Sequence, residues 1–255
     1  MRILITNDDG ILADGIYALA RELEKYYEVI IIAPETQKSA QSHAITLHKP
    51  LIIKEIKLEG INSRAYSISG TPADCVRAGM EAIIENKVDM VVSGINLGYN
   101  SGMDIIYSGT VSAAVEASIY NIPSLAVSAE WVNGTANYDI AAKLTRKVLK
   151  YVEKRVLDSN MVLNLNVPFE LSDIDKELKV CTIGGAILDY YFMEDKGNGE
   201  RTLTLKGRKE TKLEEGTDRV YLSRGFATIT PLRYDLTNFD LLDSVKEWFV
   251  MGKNE

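Results

Sequence analysis

The sequence predicts an α/β fold with a doubly wound, mostly parallel, Rossmann-like sheet. Short apolar runs alternate along the chain with longer segments whose apolar residues recur at helical spacing. The first run, residues 3–5, is apolar at consecutive positions, which is typical of a buried central strand. Asp8 and Asp9 follow this run directly, so both carboxylates are expected at the sheet edge where open α/β folds bind ligands.

The predicted elements of the first 167 residues follow a βαβ order. A capping box at residues 71–74 marks the start of one helix, because Thr71 and Asp74 can each bond the other's backbone N–H. The predicted helices cover residues 15–27 (capped by Asp14), 71–86, 111–120 and 138–156. The predicted strands after the first cover residues 28–34, 45–56, 64–69, 90–93, 125–128 and 161–167.

The last part of the chain has a different texture. Residues 190–193 and 202–205 flank the polar segment 194–200 and predict a long β-hairpin, and residues 237–240 precede a last helix. A hairpin has little core of its own, so it favours packing on another subunit, although a mobile hairpin on a monomer stays open. The expected domains are a catalytic core over residues 1–183 and an extension over residues 184–255 used for oligomerisation.

Composition narrows the classes of function. The 255 residues carry a formal net charge of −7, which disfavours binding to polymeric nucleic acid. Two cysteines and two histidines predict neither a disulfide framework nor a zinc site. No apolar run reaches membrane-spanning length and no segment resembles a signal peptide. We therefore expect a cytoplasmic protein without a membrane partner.

Four polar loops are predicted to meet at one edge of the sheet, and every candidate metal ligand in them is an oxygen atom. Oxygen donors favour Mg²⁺ or Mn²⁺, and two adjacent carboxylates repel each other unless a cation lies between them. The alternative is a polar turn in which one Asp caps the next helix. Ser108-Gly109-Thr110 precedes a helix. This turn can either hold a phosphate or simply cap the helix. The four loops are residues 7–9, 39–43, 96–104 and 108–110.

Six sequence blocks resemble the SurE family, the stationary-phase survival proteins that act as nucleotidases. They occur in the family's order and span nearly the whole chain. They are Ile-Thr-Asn-Asp-Asp-Gly at 5–10, residues 39–46, residues 70–76, Ser-Gly-Ile-Asn at 93–96 with Gly98 and Asn100, Tyr-Ser-Gly-Thr-Val at 107–111, and Gly225 with Ile-Thr-Pro-Leu at 229–232.

The resemblance implies a metal-dependent phosphomonoesterase that acts on nucleoside 5′- and 3′-monophosphates, with polyphosphate as a further substrate. It implies one divalent cation per subunit, Mg²⁺ or Mn²⁺, and a homodimer or homotetramer that exchanges C-terminal elements. The implied metal ligands are Asp8, Asp9, Ser39 and Asn96. The implied phosphate-binding residues are Asn100, Asp104, Ser108, Gly109 and Thr110.

A mechanism follows as a hypothesis from these parts. A metal-activated water attacks phosphorus, Asp9 orients or deprotonates that water, and His43 protonates the leaving ribose oxygen. Asp8 and Asp9 are thus expected to be both ligands and catalytic residues. The nucleotide base is expected to stack on Tyr99 or Tyr107.

Three other classes of protein fit less well. A receiver module needs an Asp at the end of its third parallel strand, where this chain has Ser93 and Gly94. A phosphatase with Asp8 as covalent nucleophile needs a second acid two residues later, where this chain has Gly10. A dinucleotide-binding domain needs a glycine-rich turn after its first strand, which the sequence lacks.

Overall fold

A computed structural model describes residues 1–153, 161–171, 177–187, 189–209 and 213–251. Its strands are β1 (Arg2–Thr6), β2 (Glu28–Pro34), β3 (Ile53–Ile56), β4 (Arg64–Ile68), β5 (Met90–Leu97), β6 (Ser124–Ala129), β7 (Val162–Val167), β8 (Leu178–Val180), β9 (Asp189–Gly197), β10 (Glu200–Arg208) and β11 (Ala227–Leu232). Its α-helices are α1 (Asp14–Leu23), α2 (Pro72–Ala78), α3 (Gly109–Ile119), α4 (Tyr138–Val152), α5 (Asp218–Ser223) and α6 (Leu242–Met251).

Nine of these strands form one mixed sheet in the order β3-β4-β2-β1-β5-β6-β7-β11-β8. The six strands from β4 to β7 in this order run parallel, whereas β3 and β11 pair antiparallel with their inner neighbours. The predicted doubly wound, mostly parallel sheet is confirmed. β11 belongs to the predicted extension 184–255 and nevertheless pairs with β7 in the central sheet.

β1 is buried on both sides because helices cover both faces of the sheet. Ile3 and Ile5 contribute to the apolar cluster that contains residues of α1 and α4. Leu4 points to the opposite cluster, which contains residues of α2 and α3. The alternation places Asp8, three residues beyond Ile5, at the carboxyl end of a strand held from both faces.

Several predicted bounds were wrong. α1 ends at Leu23 rather than Tyr27, and Asp14 is its first residue while Ala13 occupies the cap position without a side-chain bond. The predicted strand 45–56 is reduced to β3, and the helix predicted to residue 86 ends at Ala78, where a π-helical turn (Gly79–Ile83) follows. The predicted capping box of Thr71 and Asp74 is confirmed. Residues 154–156 of the predicted fourth helix lie outside the described residues.

β9 and β10 form a separate two-stranded hairpin that is longer than predicted. Its turn consists of Asn198 and Gly199, both with positive φ (58° and 79°), the geometry that an Asn-Gly pair favours in tight hairpins. Both faces of the hairpin are exposed. Five large apolar side chains on it are each more than half exposed, namely Tyr191, Phe192, Met193, Leu203 and Leu205. Among the described helices, none is long and apolar enough to cross a membrane.

Candidate active site

The turn after β1 presents Asp8 and Asp9 at the sheet edge. Asn7 holds this turn closed, because its side-chain amide donates to the Gly10 carbonyl at 2.8 Å and its Oδ1 accepts from the Gly10 N–H at 3.2 Å. Gly10 has φ +101°, which the tight turn requires and which favours glycine. As predicted, the two carboxylates follow the carboxyl end of a central strand.

Asp8 is 3 % exposed and lies against the N-terminus of α3. Thr110 donates its hydroxyl to Oδ1 of Asp8 at 2.5 Å, and the Thr110 backbone N–H also bonds this carboxylate. A Cβ on Gly109 would lie 2.8 Å from the Asp8 Cβ, so a residue without a side chain is needed for this approach. The first turn of α3 therefore binds the Asp8 carboxylate itself.

Ser108, not Thr110, caps α3. Its Oγ accepts from the Val111 N–H at 3.1 Å. The Ser108 hydroxyl hydrogen has no acceptor among the described residues, and Ser108 lines the open cleft described below. Of the predicted phosphate-binding turn, Ser108 thus faces the cleft, whereas the hydroxyl of Thr110 is directed to Asp8.

Both carboxylates are harder to ionise than usual. Burial raises the pKa of Asp8 to about 6, hydrogen bonds from Thr110 oppose the rise, and the Asp9 charge adds to it. Burial also raises the pKa of Asp9, although its oxygens accept from the Leu97 N–H at 3.1 Å and from the Gln37 amide at 3.3 Å. Among the described residues, neither acid has a Lys, Arg or His partner in an ion pair. A buried and a partly buried carboxylate without a counter-charge favour a bound cation.

The loop that contains Ser39 is fixed by contacts with the segment before α3. Ser42 donates its backbone N–H to the Tyr107 carbonyl at 3.0 Å and its hydroxyl to the Ile106 carbonyl at 2.7 Å. Ala40 and Ser42 both have positive φ, 57° and 53°, an arrangement that non-glycine residues adopt at a cost in energy. The loop is thus held in a strained conformation that brings Ser39 to the cleft.

The loop after β5 supplies Asn96 and Asn100. The Asn96 amide donates to the Gly98 carbonyl at 2.8 Å, which leaves its Oδ1 available as a ligand. Asn100 is buried, and its own amide donates to the Ser128 hydroxyl at 2.9 Å. Its backbone N–H donates to Oδ1 of Asn166 at 2.9 Å, so the neighbouring strands β6 and β7 hold this residue in place.

These loops enclose a polar cleft of about 260 Å³ at the carboxyl edge of the sheet. Six of the predicted site residues line it. Gly109 and Thr110 contact Asp8 without lining the cleft, and Asp9 accepts from the N–H of Leu97, a lining residue. The described lining residues are Asp8, Ser39, Ala40, Asn96, Leu97, Tyr99, Asn100, Asp104, Tyr107, Ser108 and Arg208. Tyr99 and Tyr107, the predicted stacking residues, are both among them.

His43 lies apart from this lining. Its Nε2 is 2.6 Å from Oε2 of Glu116 on α3, and Arg77 donates to Oε1 of Glu116 at 3.0 Å. Burial favours the protonated form of Glu116, but the bonds from His43 and Arg77 outweigh it and lower its pKa. His43 lines a different, mostly apolar cavity of about 630 Å³. A catalytic role for His43 therefore stays a prediction.

A family model described as "Survival protein SurE" matches residues 3–189 of this chain. The chain belongs to the SurE family. A protein of Clostridium tetani named 5′-nucleotidase SurE is 52% identical over 249 residues, covering 98% of this chain and 100% of that protein. A protein of Clostridium botulinum (strain ATCC 19397 / Type A) with the same name is 48% identical over 252 residues, with the same coverage.

A solved structure of the same family has the same fold. The crystal structure of the SurE protein from Aquifex aeolicus is similar to this chain with a TM-score of 0.85 and 34% sequence identity. The similarity covers 97% of this chain and 99% of that one. The SurE resemblance inferred from the six sequence blocks is thus confirmed.

The oxygen donors of this SurE-family cleft suit a hard divalent cation. The Asp8 and Asp9 carboxylates, the Ser39 hydroxyl and the Asn96 carbonyl oxygen are the donor types that Mg²⁺ and Mn²⁺ accept, with water completing the coordination. Among the described residues, no three His, Cys, Asp or Glu side chains form a metal-binding cluster. A site built from these four residues would therefore hold the cation with few protein ligands.

Two arginines near the cleft were not predicted from the sequence. Arg208 at the end of β10 donates to Oδ2 of Asp104, and Nη2 of Arg219 lies 3.2 Å from the same oxygen. Asp104 was predicted to bind phosphate, but a carboxylate repels phosphate unless a cation neutralises it. In the structure Asp104 has two cationic partners, and its contact with phosphate stays a prediction. Because Asp104 and Arg208 are 104 positions apart, no local sequence signal relates them.

Proposed function

We propose that this SurE-family protein is a divalent-cation-dependent phosphomonoesterase that hydrolyses nucleoside 5′-monophosphates. The proposal extends to nucleoside 3′-monophosphates and, as a side activity, to polyphosphate. That the chain is a 5′-nucleotidase is supported by relatives of this name at about half identity over almost its full length. The observation that carries the chemistry is Asp8, a buried carboxylate with a pKa of about 6 beside a second acid and without a cationic partner.

We propose that Asp8, Asp9, Ser39 and Asn96 hold one Mg²⁺ or Mn²⁺ ion. When bound, the ion supplies positive charge to the phosphoryl group and lowers the pKa of water. The Thr110 hydroxyl bonds Oδ1 of Asp8, so Oδ2 is the oxygen without a side-chain donor that can bind the ion. Such support orients a ligand before the ion arrives, and its loss weakens metal binding.

The chain's own residues then have distinct tasks in the hydrolysis. Asp9, oriented by the Leu97 N–H and the Gln37 amide, accepts a proton from the attacking water as its oxygen bonds to phosphorus. The bond between phosphorus and the ribose oxygen breaks, and that oxygen takes up a proton from solvent water, to which Asp9 returns the proton that it accepted. The Ser108 hydroxyl, which lines the cleft, can donate to a phosphoryl oxygen.

We also propose that the exposed hairpin mediates self-association into a homodimer or homotetramer. Its five large apolar side chains are exposed on both faces and have no core of their own. We propose the division into a core (1–183) and an extension (184–255) by function alone. It does not follow the sheet, because β11 of the extension lies between β7 and β8 in the central sheet.

A panel of substrates tests the proposed reaction. Initial rates with Mg²⁺ or Mn²⁺ are measured on 5′-AMP, 3′-AMP, a phosphodiester and polyphosphate. We expect turnover of the two monophosphates and slower release of phosphate from polyphosphate, with the diester resistant because it lacks the dianionic phosphoryl group. A protein that binds nucleotides but releases no phosphate would be a binding module, and the proposed reaction would be wrong.

A further inference from the structure

Arg208 is the cationic residue of the cleft. It lies at the end of β10, and among the described residues that line the cleft it alone carries a positive charge. The hairpin therefore reaches from its exposed apolar strands to the rim of the proposed active site. Arg208 is also 55 % exposed, so its guanidinium is accessible to a ligand in the cleft.

Two carboxylates position this guanidinium. Nη1 of Arg208 donates to Oδ2 of Asp104, and its Nε lies 3.7 Å from Oδ1 of Asp189, its neighbour across the hairpin. No contact of Nη2 with another described residue accompanies these two, so part of the planar fork stays available. An arginine offers five N–H donors in this fork, a geometry that matches the oxygens of a phosphate.

Asp104 does not cancel the charge of Arg208, because a second arginine shares it. Arg219 is 10 % exposed, and its Nη2 lies 3.2 Å from Oδ2 of Asp104 and donates to the Ser101 carbonyl at 3.1 Å. Asp104, Asp189, Arg208 and Arg219 together carry a net charge of about 0 when all are ionised, so the two arginines offset the two acids around them. A carboxylate that would otherwise repel a phosphate thus becomes a support for a cation.

A phosphomonoester needs such a cation here. The substrate brings about two negative charges to a cleft that Asp8 lines and that Asp9 adjoins through Leu97, in a chain whose net charge is −7. One divalent ion offsets the two carboxylates only. A guanidinium at the rim adds a charge-assisted, bidentate contact to the phosphoryl oxygens.

We propose that Arg208 is a substrate-contacting residue, which binds the phosphoryl oxygens of the nucleotide and makes the hairpin part of the active site. Asp104 is then a positioning residue, which holds the Arg208 guanidinium at the cleft. The inference rests on the proposed function, because it assigns a contact to the substrate of that reaction.

The test compares Arg208→Gln and Arg208→Lys with Arg201→Gln. Arg201 is on the same strand, is similarly exposed and pairs with a hairpin carboxylate, Asp195, at 3.5 Å, but does not line the cleft. We expect Arg208→Gln to raise KM for 5′-AMP about 10-fold or more, because a charge-assisted contact made in the bound state is lost. The inhibition constant of inorganic phosphate should rise by a similar factor, with kcat changing much less.

The other variants separate a contact from a general charge effect. Arg208→Lys should recover part of the affinity, since it keeps the charge and loses the fork, and Arg201→Gln should behave as wild type. The same increase in KM is expected for p-nitrophenyl phosphate, which has no ribose or base. An increase confined to nucleotides would overturn the assignment to the phosphoryl group.

The inference would also be overturned if Arg208→Gln kept the KM and the phosphate inhibition of the wild type, or if Arg201→Gln changed both equally. Circular dichroism and melting curves verify that each variant is folded. A wild type without phosphomonoesterase activity would instead refute the proposed function, so the two failures are distinguishable.

Discussion

Asp8→Asn should stabilise the metal-free protein while it abolishes activity. In the folded protein burial raises the pKa of Asp8 from 3.8 to about 6. A carboxyl group with a raised pKa contributes its stability fully below the unfolded value of 3.8 and loses it as the pH rises through 6. At neutral pH the folded protein therefore contains a charge that burial disfavours, and asparagine removes this charge while keeping an oxygen that can accept from Thr110.

The size of the effect follows from the difference in pKa. A shift of about 2 units at about 1.4 kcal/mol each gives on the order of 3 kcal/mol at pH 7.5, and about half of this at pH 5. For a protein of this size it corresponds to a rise in Tm of roughly 6–12 °C. Asp8 is 3 % exposed, so solvent screening reduces the figure little.

The assay is thermal unfolding of chelator-treated wild type and Asp8→Asn at both pH values, with and without Mg²⁺. Added Mg²⁺ should stabilise the wild type and leave the variant unchanged, because only the wild type keeps both carboxylates. Asp243→Asn is the control, since Asp243 has a 91% exposed side chain and should show no such difference. A variant that melts at or below the metal-free wild type at pH 7.5, or a difference independent of pH, would refute the reasoning.

Three further predictions concern α3 and the hairpin. Thr110→Ala removes the hydroxyl bonded to Asp8, so it should lower kcat/KM roughly 10-fold and raise the Mg²⁺ concentration needed for half-maximal rate. Thr110→Ser should restore both values. An unchanged Mg²⁺ titration of Thr110→Ala would contradict this role of the hydroxyl. Gly109→Ala should lower both the rate and the Tm, because its Cβ would lie 2.8 Å from the Asp8 Cβ, whereas wild-type values would mean that α3 can shift freely. Replacement of residues 192–202 by a short Gly-Ser linker should reduce the mass measured by light scattering, and an unchanged mass would place the subunit contact elsewhere.

Much of the fold could be predicted because its signals are local. The apolar run before Asp8 predicts a central strand, and the capping box at Thr71 predicts a helix start from a spacing of three residues. The hairpin turn is also a local feature, because Asn198 and Gly199 are a strong signal for a two-residue turn. The predicted loop 194–200 was too long because this signal was not applied.

The remaining features depend on contacts between distant parts of the chain. Ser108 and Thr110 are both good caps by sequence, and only the approach of Asp8 to α3 decides that Thr110 bonds a carboxylate instead. The bond between Asp104 and Arg208 depends on where the hairpin lies against the core, which no periodicity encodes. Likewise, His43 stands in a polar loop by sequence and meets Glu116 only after α3 has packed.

We propose that Asp8 and Asp9 at this sheet edge act in hydrolysis through a divalent cation. The most direct test is the initial rate of 5′-AMP hydrolysis by protein stripped of metal with a chelator, before and after Mg²⁺ or Mn²⁺ is added back. We expect the stripped protein to lose nearly all activity and either ion to restore it, because every donor in the site is an oxygen atom. A full rate in stripped protein, with the absence of metal verified by elemental analysis, would contradict the claim.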